Sequence, residues 1–262
     1  MGTGAIGIVD SGVGGLSIWR EIVRLLPWEN TIYVADKRYF PYGEKSNAQL
    51  RKRADRIVQF LIQKGCSLIV LACNSLSVSA LPHLRNRYQI PFVGVEPAVK
   101  PAALASKTKE ITVLVTTKTA VSQRQRLLIN THAQGITVHL LSSPYLVEAV
   151  ETGQINSPST LIRLRMILNK KNIGKSDHLV LGCTHYPFLL SKIRQVTRGK
   201  IRIIEPSMAV ARRVREIRRP KQEGSKQSGK HEFYTTKGRQ QFLTVAQTLL
   251  GQLPSEVNLV NL

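Results

Sequence analysis

Two kinds of hydrophobic pattern alternate along this chain. Residues 5–9, 68–72, 111–115 and 179–182 are short apolar runs that end at a small or polar residue, which is typical of strands buried on both faces. Between them lie longer segments, such as residues 46–64, with apolar positions at helical spacing and Arg and Lys on the other face. The alternation predicts an α/β protein with mostly parallel sheets flanked by helices.

Two of the apolar runs deliver a cysteine at their carboxyl end. Cys73 follows residues 68–72, and Cys183 follows residues 179–182. Ligands of open α/β sheets bind at that end of the strands. Asp10, after the first strand, precedes Cys73 by 63 residues, and Thr116, after the strand 111–115, precedes Cys183 by 67. This near-equal spacing predicts an internal duplication of one α/β unit.

Composition and charge narrow the class of protein. The chain has 262 residues, 42% of them hydrophobic, which is enough to bury a real core. It has no apolar run long enough to span a bilayer and no basic leader, so we predict a cytoplasmic protein. The net charge of +22 fits either a nucleic-acid partner or a basic bias spread over solvated surfaces, and the absence of a nucleic-acid-binding module favours the bias.

The glycine-rich turn after the first strand resembles a dinucleotide-binding fingerprint only in part. Gly12 and Gly14 fit G-x-G-x-x-G, but Ser17 takes the third position and Asp10 would repel a pyrophosphate. A better interpretation is that glycine N–H groups approach an anionic group at a helix N-terminus. The alternative is an ordinary tight turn. The turn Phe40-Pro41-Tyr42-Gly43 has two interpretations: the Gly43 N–H binds a ligand carboxylate, or the segment is an ordinary loop.

The cysteines restrict the chemistry. None of Cys66, Cys73 and Cys183 lies in a C-x-x-C pair, which argues against redox exchange and against zinc held by Cys73, Cys183 and His185. Cys66 opens an apolar run and is predicted to be a buried hydrophobe. Two equivalent cysteines instead suit acid–base chemistry from two sides, because a thiol pKa of about 8.5 can be lowered toward neutrality. His185 would steady the Cys183 thiolate, and Asp10 would serve Cys73.

Five segments together resemble the motifs of the glutamate racemase family, in order and at family spacing. They are Asp10-Ser11-Gly12-Val13-Gly14-Gly15, Pro41-Tyr42-Gly43, Ala72-Cys73-Asn74, Gly94-Val95-Glu96-Pro97-Ala98 and Leu181-Gly182-Cys183-Thr184-His185-Tyr186-Pro187. The resemblance extends from the N-terminus to Phe233-Tyr234-Thr235-Thr236 and covers nearly the whole chain.

This resemblance implies two pseudo-symmetric α/β domains, residues 1–96 with 207–262 and residues 97–206, with the active site in the cleft between them. It implies that the protein interconverts L- and D-glutamate without a cofactor or metal. The D-glutamate would supply peptidoglycan synthesis and so support cell shape, and the protein would be a cytoplasmic homodimer. The implied catalytic residues are Cys73 and Cys183, assisted by Asp10, His185 and Glu151. The implied substrate-binding residues are Asp10, Ser11, Pro41, Tyr42, Gly43, Asn74, Ser75, Thr116, Thr119, Thr184 and His185.

The chain departs from the family pattern at a few positions. Ser75 replaces the usual Thr, Leu76 a small residue, Lys118 a common Gly, and Glu205 precedes Pro206 where an Asp is usual. These changes bear on rate and substrate fit. Two other functions stay open: racemisation of aspartate or another acidic amino acid, and binding of DNA or DNA gyrase through the basic tract 212–230. Within that tract, residues 220–230 have no apolar side chain and are predicted to be a loop.

Overall fold

The structure is a computed structural model that describes residues 4–218, 228–251 and 256–262. Most of the loop predicted for residues 220–230 lies outside the described residues. No helix in the described ranges is long and apolar enough to cross a membrane.

Strands and helices alternate along the described chain. The strands are β1 (Ala5–Asp10), β2 (Thr31–Ala35), β3 (Cys66–Leu71), β4 (Phe92–Gly94), β5 (Glu110–Val115), β6 (Thr137–Ser142), β7 (His178–Gly182), β8 (Arg202–Ile204), β9 (His231–Thr235) and β10 (Asn258–Leu259). The α-helices are α1 (Leu16–Leu25), α2 (Asn47–Gln63), α3 (Asn74–Arg87), α4 (Val99–Ala105), α5 (Thr117–Val121), α6 (Gln123–His132), α7 (Pro144–Glu151), α8 (Pro158–Ile167), α9 (Lys170–Ile173), α10 (Leu190–Thr197), α11 (Ser207–Arg218) and α12 (Arg239–Leu250). Short 3₁₀ helices span Tyr42–Glu44 and Tyr186–Leu189.

The chain divides into two compact units. The first comprises Met1–Val95 and Ser207–Leu262, and the second comprises Glu96–Pro206. Glu96, which the sequence places at the end of the first domain, lies in the second unit.

The first unit is built on a six-stranded parallel sheet with the order β10-β9-β2-β1-β3-β4. β1 lies at its centre, between β2 and β3, and its residues Ile6 to Asp10 are buried. Such a strand is apolar on both faces because helices cover both sides of a parallel sheet. The core between β3 and α2 contains Ile57, Leu61 and Ile69.

The second unit has a four-stranded parallel sheet with the order β6-β5-β7-β8. Its core contains Val99 and Ala102 of α4 together with Val113 and Val180 of the two central strands. The order matches β2-β1-β3-β4 of the first unit strand for strand. The predicted fold class is therefore confirmed, and the shared strand order agrees with the inferred duplication.

Polar side chains interrupt the helical segments of the second unit at two places. α8 ends at Ile167, and Asn169 caps α9 by accepting from the Asn172 N–H. Likewise, α5 ends at Val121, and the Ser122 hydroxyl caps α6 by accepting from the Gln125 N–H. Side chains that cap a helix also interrupt one, because they satisfy backbone groups outside the helical ladder.

Candidate active site

Cys183 lies directly after β7, at the carboxyl end of a central strand of the second sheet. It is 4% exposed. The preceding Gly182 has no room for a side chain, since a Cβ there would lie 2.5 Å from a Val115 methyl group of β5. Beyond the cysteine, the Tyr186 O–H donates to the Val115 C=O at 3.1 Å. The strand end and the following turn are therefore anchored to β5, which holds Cys183 in place.

His185 connects Cys183 to a buried carboxylate. Its Nδ1 lies 3.4 Å from the Cys183 Sγ, and its Nε2 lies 2.6 Å from a Glu151 oxygen. Glu151 is the last residue of α7, whose first turn is capped by Ser143. His185 and Glu151 are 3% exposed each. The structure thus assembles three of the expected catalytic residues into one contiguous array.

The electrostatics of this array favour a charged imidazole. Burial by itself lowers the pKa of His185, but the Cys183 sulfur and the Glu151 carboxylate raise it by more, so that the pKa lies well above its ordinary value. An imidazolium beside a thiol stabilises the thiolate form. The array can therefore hold a proton on His185 while Cys183 acts as a base.

The same edge of the second sheet carries the expected threonines. Thr116 follows β5 and caps α5, its hydroxyl accepting from the Thr119 N–H at 3.3 Å. The Thr116 hydroxyl also donates to the Thr119 hydroxyl at 3.0 Å. Thr119 and Thr184 are buried. Because β5 and β7 are adjacent and parallel, their carboxyl ends place these hydroxyls on the edge that carries Cys183.

Cys73 and Asp10 occupy the corresponding edge of the first sheet. Asp10 ends β1 and is completely buried, and its Oδ1 accepts from the Gly12 N–H at 2.8 Å. Cys73 precedes α3 and is 8% exposed. The Ala72 N–H donates to the Val9 C=O at 2.8 Å, which aligns the two strand ends.

The glycine-rich turn permits a close approach of chain segments. A Cβ on Gly15 would lie 2.7 Å from the Asp10 Cβ and 2.8 Å from the Tyr33 hydroxyl. That hydroxyl donates to the Gly12 C=O at 2.8 Å. A glycine is therefore required at position 15 for the turn to fold over Asp10. Ser11, in the same turn, is buried.

Asn74, the first residue of α3, carries the clearest sign of a ligand. Its side chain is 2% exposed, and neither amide atom has a hydrogen-bond partner in the part of the chain that the structure describes. An unpaired buried amide costs free energy, on the order of 1–3 kcal/mol for each unsatisfied group. A polar ligand beside Cys73 would remove this cost. Ser75, next to it, is also buried.

The segment Pro41–Gly43 lies near Cys73 as well. Tyr42 is 1% exposed and shares one apolar cluster with Cys73. Its O–H donates to an oxygen of Asp36 at 2.7 Å. Asp36 is a buried carboxylate that lies outside the five family motifs. The available signal was a polar residue immediately after the buried strand β2, the same signal that identified Asp10.

Cys66 lies apart from this chemistry, at the amino end of β3. It is 5% exposed, and burial raises its pKa to about 12. It stays a thiol at neutral pH, in keeping with its predicted role as a buried hydrophobe.

The positive charge is spread over the whole chain. The first unit carries 22 Lys and Arg residues against 10 Asp and Glu, and the second carries 16 against 6. A similar excess in both units is expected of a general basic bias and does not single out one nucleic-acid-binding face.

Comparisons with known proteins agree with the motifs. Residues 6–214 match the Asp/Glu/hydantoin racemase family. The chain is 42% identical to a glutamate racemase of Pseudomonas aeruginosa over 214 residues, which are 81% of each protein. The structure is similar to that of the Bacillus anthracis glutamate racemase isoform RacE1, with a TM-score of 0.88 and 30% identity over 99% of this chain and 98% of that one.

A second solved structure was determined with a ligand. It is the Escherichia coli glutamate racemase in complex with L-glutamate and the activator UDP-MurNAc-Ala, with a TM-score of 0.84 and 32% identity over 97% of both chains.

Proposed function

The chain belongs to the glutamate racemase family within the Asp/Glu/hydantoin racemases, and from this premise we propose that it interconverts L- and D-glutamate by proton transfer between two cysteines. The observation that carries the proposal is the buried Cys183–His185–Glu151 array in one unit, with a second cysteine, Cys73, at the matching strand end of the other.

The proposed reaction removes the α-proton from one face of glutamate and returns a proton to the other. One cysteine acts as thiolate: its S–H bond forms as the α C–H bond breaks. The other acts as thiol: its S–H bond breaks as the new C–H bond forms. No electrons are exchanged, so the atoms balance without an oxidant or reductant. After turnover the two cysteines have exchanged protonation states, and the reverse reaction restores them.

The neighbours of each cysteine have distinct proposed roles. His185, held by Glu151, stabilises the Cys183 thiolate and keeps a proton at hand. Asp10 assists Cys73 from the adjacent strand. General acid–base groups of this kind contribute about 10²- to 10⁴-fold to a rate.

The remaining polar groups would hold the substrate. Asn74 and Thr184, each next to a cysteine, are buried side chains with hydrogen-bonding capacity. The Asn74 amide, which has no hydrogen-bond partner among the described residues, supports this role. Ser11, Pro41, Tyr42, Gly43, Ser75, Thr116 and Thr119 complete the proposed binding set. Fixed donors near the substrate carboxylates would also stabilise charge that develops when the α-proton leaves.

We further propose that the D-glutamate supplies peptidoglycan synthesis, in the cytoplasm, and that the protein works as a homodimer. These proposals follow from the family. A role in binding DNA or gyrase is a weaker alternative, because the basic residues are divided between both units.

The direct test is circular dichroism of L-glutamate incubated with purified protein and no added cofactor. The ellipticity should decay to zero as the racemate forms, and the same should hold for D-glutamate. In D₂O, deuterium should enter the α-carbon during turnover. Turnover without deuterium uptake would rule out proton exchange at cysteine.

A parallel assay with L-aspartate distinguishes the substrates. Glutamate has one more methylene, and a pocket fitted to it discriminates by about 10- to 200-fold. Faster turnover of aspartate would overturn the assignment of glutamate and leave the reaction type intact.

A further inference from the structure

A buried ion pair in the first unit lies outside the residues that the motifs nominate. Asp36 follows β2 and is completely buried, and Arg53 of α2 is 2% exposed. The guanidinium forms a fork on the carboxylate, with Nε 2.7 Å from Oδ2 and Nη2 2.6 Å from Oδ1. The Asp36 N–H donates to the Asp10 C=O at 2.8 Å, so Asp36 lies at the same sheet edge as Asp10.

Two further donors complete the hydrogen bonding of the Asp36 carboxylate. The Tyr42 O–H donates to Oδ2 at 2.7 Å, and the Thr236 hydroxyl donates to Oδ1 at 2.9 Å. Each carboxylate oxygen therefore accepts two hydrogen bonds. The donors come from α2, from the turn that contains Tyr42 and from the segment after β9, so one carboxylate joins three parts of the unit.

The other side of the guanidinium is also occupied. Arg53 stacks on the Tyr39 ring, 4.4 Å from its centroid, and donates to the Leu262 main-chain oxygen. Together with the two hydrogen bonds to Asp36, these contacts fix the orientation of the Arg53 guanidinium.

Stability alone is a poor explanation for this network. A buried ion pair contributes little net stability compared with apolar residues of similar volume. What the network does define is the position of Tyr42, which packs in one cluster with Cys73. The pKa of Tyr42 supports this contact: burial raises it most, then Asp36, and then the Cys73 sulfur.

We propose that Asp36 is a positioning residue for the Cys73 half of the reaction, acting through Tyr42. Its carboxylate accepts the hydrogen bond from the Tyr42 O–H, which keeps the phenol protonated and neutral and holds the ring beside Cys73. The ion pair with Arg53 keeps the carboxylate charged and in place. This inference rests on the proposed racemase function.

The first test compares Asp36→Asn, Tyr42→Phe and the double variant by kcat and KM for L-glutamate. Misplacement of Tyr42 should lower kcat about tenfold with a smaller change in KM, since a shift of about 1 Å at a catalytic group can cost up to 10²-fold. Because Asp36 acts through Tyr42, the double variant should lose no more than Tyr42→Phe alone. Multiplicative losses would overturn the proposal.

The second test does not depend on racemisation. In a background of Cys66→Ser and Cys183→Ser, the rate of alkylation of Cys73 by iodoacetamide is measured against pH. Asp36→Asn removes an anion and leaves the Arg53 cation, so the profile should move to lower pH, and alkylation at neutral pH should rise about tenfold for a shift of one pH unit. An unchanged profile would overturn the proposal even if the wild-type protein racemises glutamate.

Thr236→Val is the matched control. It removes a neutral donor from the oxygen that Tyr42 does not contact, so both the alkylation profile and kcat should stay within about twofold of wild type. An effect as large as that of Asp36→Asn would indicate general loosening and contradict the positioning role. If Asp36→Asn fails to fold because Arg53 is left unpaired, Tyr42→Phe keeps the ion pair and removes only the hydrogen bond to Asp36. It should still lower kcat about tenfold, and an unchanged kcat would overturn the proposal.

Discussion

The two units share a scaffold and differ in the chemistry around their cysteines. In both units, the cysteine follows the strand that lies beside the first strand of that unit. This strand is β3 in the order β2-β1-β3-β4 and β7 in the order β6-β5-β7-β8. Cys183 has an imidazole two residues later, backed by Glu151. Cys73 is followed by the amide of Asn74, and no histidine stands within five residues of it.

The acidic groups also arise at different places in the two units. Asp10 ends β1, whereas the equivalent position after β5 is Thr116, and the second unit takes its carboxylate from α7 instead. The first unit adds a phenol held by a buried ion pair. The two units therefore share the strand ends that carry the sulfur atoms and differ in the polar groups around each sulfur.

The largest effect should follow removal of either sulfur. Cys73→Ser and Cys183→Ser should each lower kcat by about 10³-fold or more, because a hydroxyl is a far weaker acid than a thiol and a two-base mechanism needs both groups. Cys66→Ser is the matched control and should retain activity. A variant of Cys73 or Cys183 that keeps more than a tenth of wild-type activity, measured by circular dichroism, would contradict the equal need for both cysteines.

Removing His185 should impair proton transfer at Cys183 and leave proton transfer at Cys73 unchanged. His185→Asn should lower kcat by about 10²-fold, because Cys183 loses the group that stabilises its thiolate. The equilibrium constant between enantiomers is one, so kcat/KM must fall equally in both directions. The α-deuterium isotope effect should therefore reveal the change: it should grow for the enantiomer whose proton Cys183 removes and not for the other. Equal growth for both enantiomers would count against separate roles for the two cysteines.

The charge of His185 should make stability depend on pH. Its pKa in the folded protein is raised by Cys183 and Glu151 against the effect of burial, so its charged form stabilises the fold. This contribution is fully present below the unfolded pKa of about 6.5 and is lost as the pH rises through the raised folded value. The free energy of unfolding of wild type relative to His185→Gln, from urea titrations, should fall as the pH rises from 6 toward 9, by up to about 1.4 kcal/mol for each pH unit. A difference that rises with pH would show that His185 is buried neutral, and a constant difference would show that the fold does not favour its charged form.

The smallest effect is expected on the Cys73 side. Ser75→Thr adds a methyl group and should change kcat and KM by less than about threefold, since the hydroxyl that would contact the substrate is retained. Ser75→Ala, which removes the hydroxyl, is the comparison and should cost more. Equal effects of the two substitutions would remove Ser75 from the proposed binding set.

Local sequence patterns are sufficient to predict the main strands and the positions of Cys73 and Cys183 at two strand ends. Apolar runs bounded by small or polar residues predict β1, β3, β5 and β7. A strand that is buried on both faces of a parallel sheet needs a continuous apolar run, and such a run can be recognised in the sequence alone. Ligands of open α/β sheets bind at the carboxyl ends of the strands. Local sequence therefore suffices to predict that Asp10, Cys73, Thr116 and Cys183 lie at those ends. The roles given to Glu151 and Tyr42 came from family resemblance.

Which side chains come into contact depends on the tertiary structure. Glu151 reaches His185 across 34 positions, and Thr236 reaches Asp36 across 200, distances at which no local pattern carries information. Local sequence likewise gives no sign that the Asn74 amide has no hydrogen-bond partner in the described part of the chain. Strands and helices follow from short-range periodicity, whereas hydrogen-bond partners depend on strand order and on how the helices pack, which the whole chain settles together.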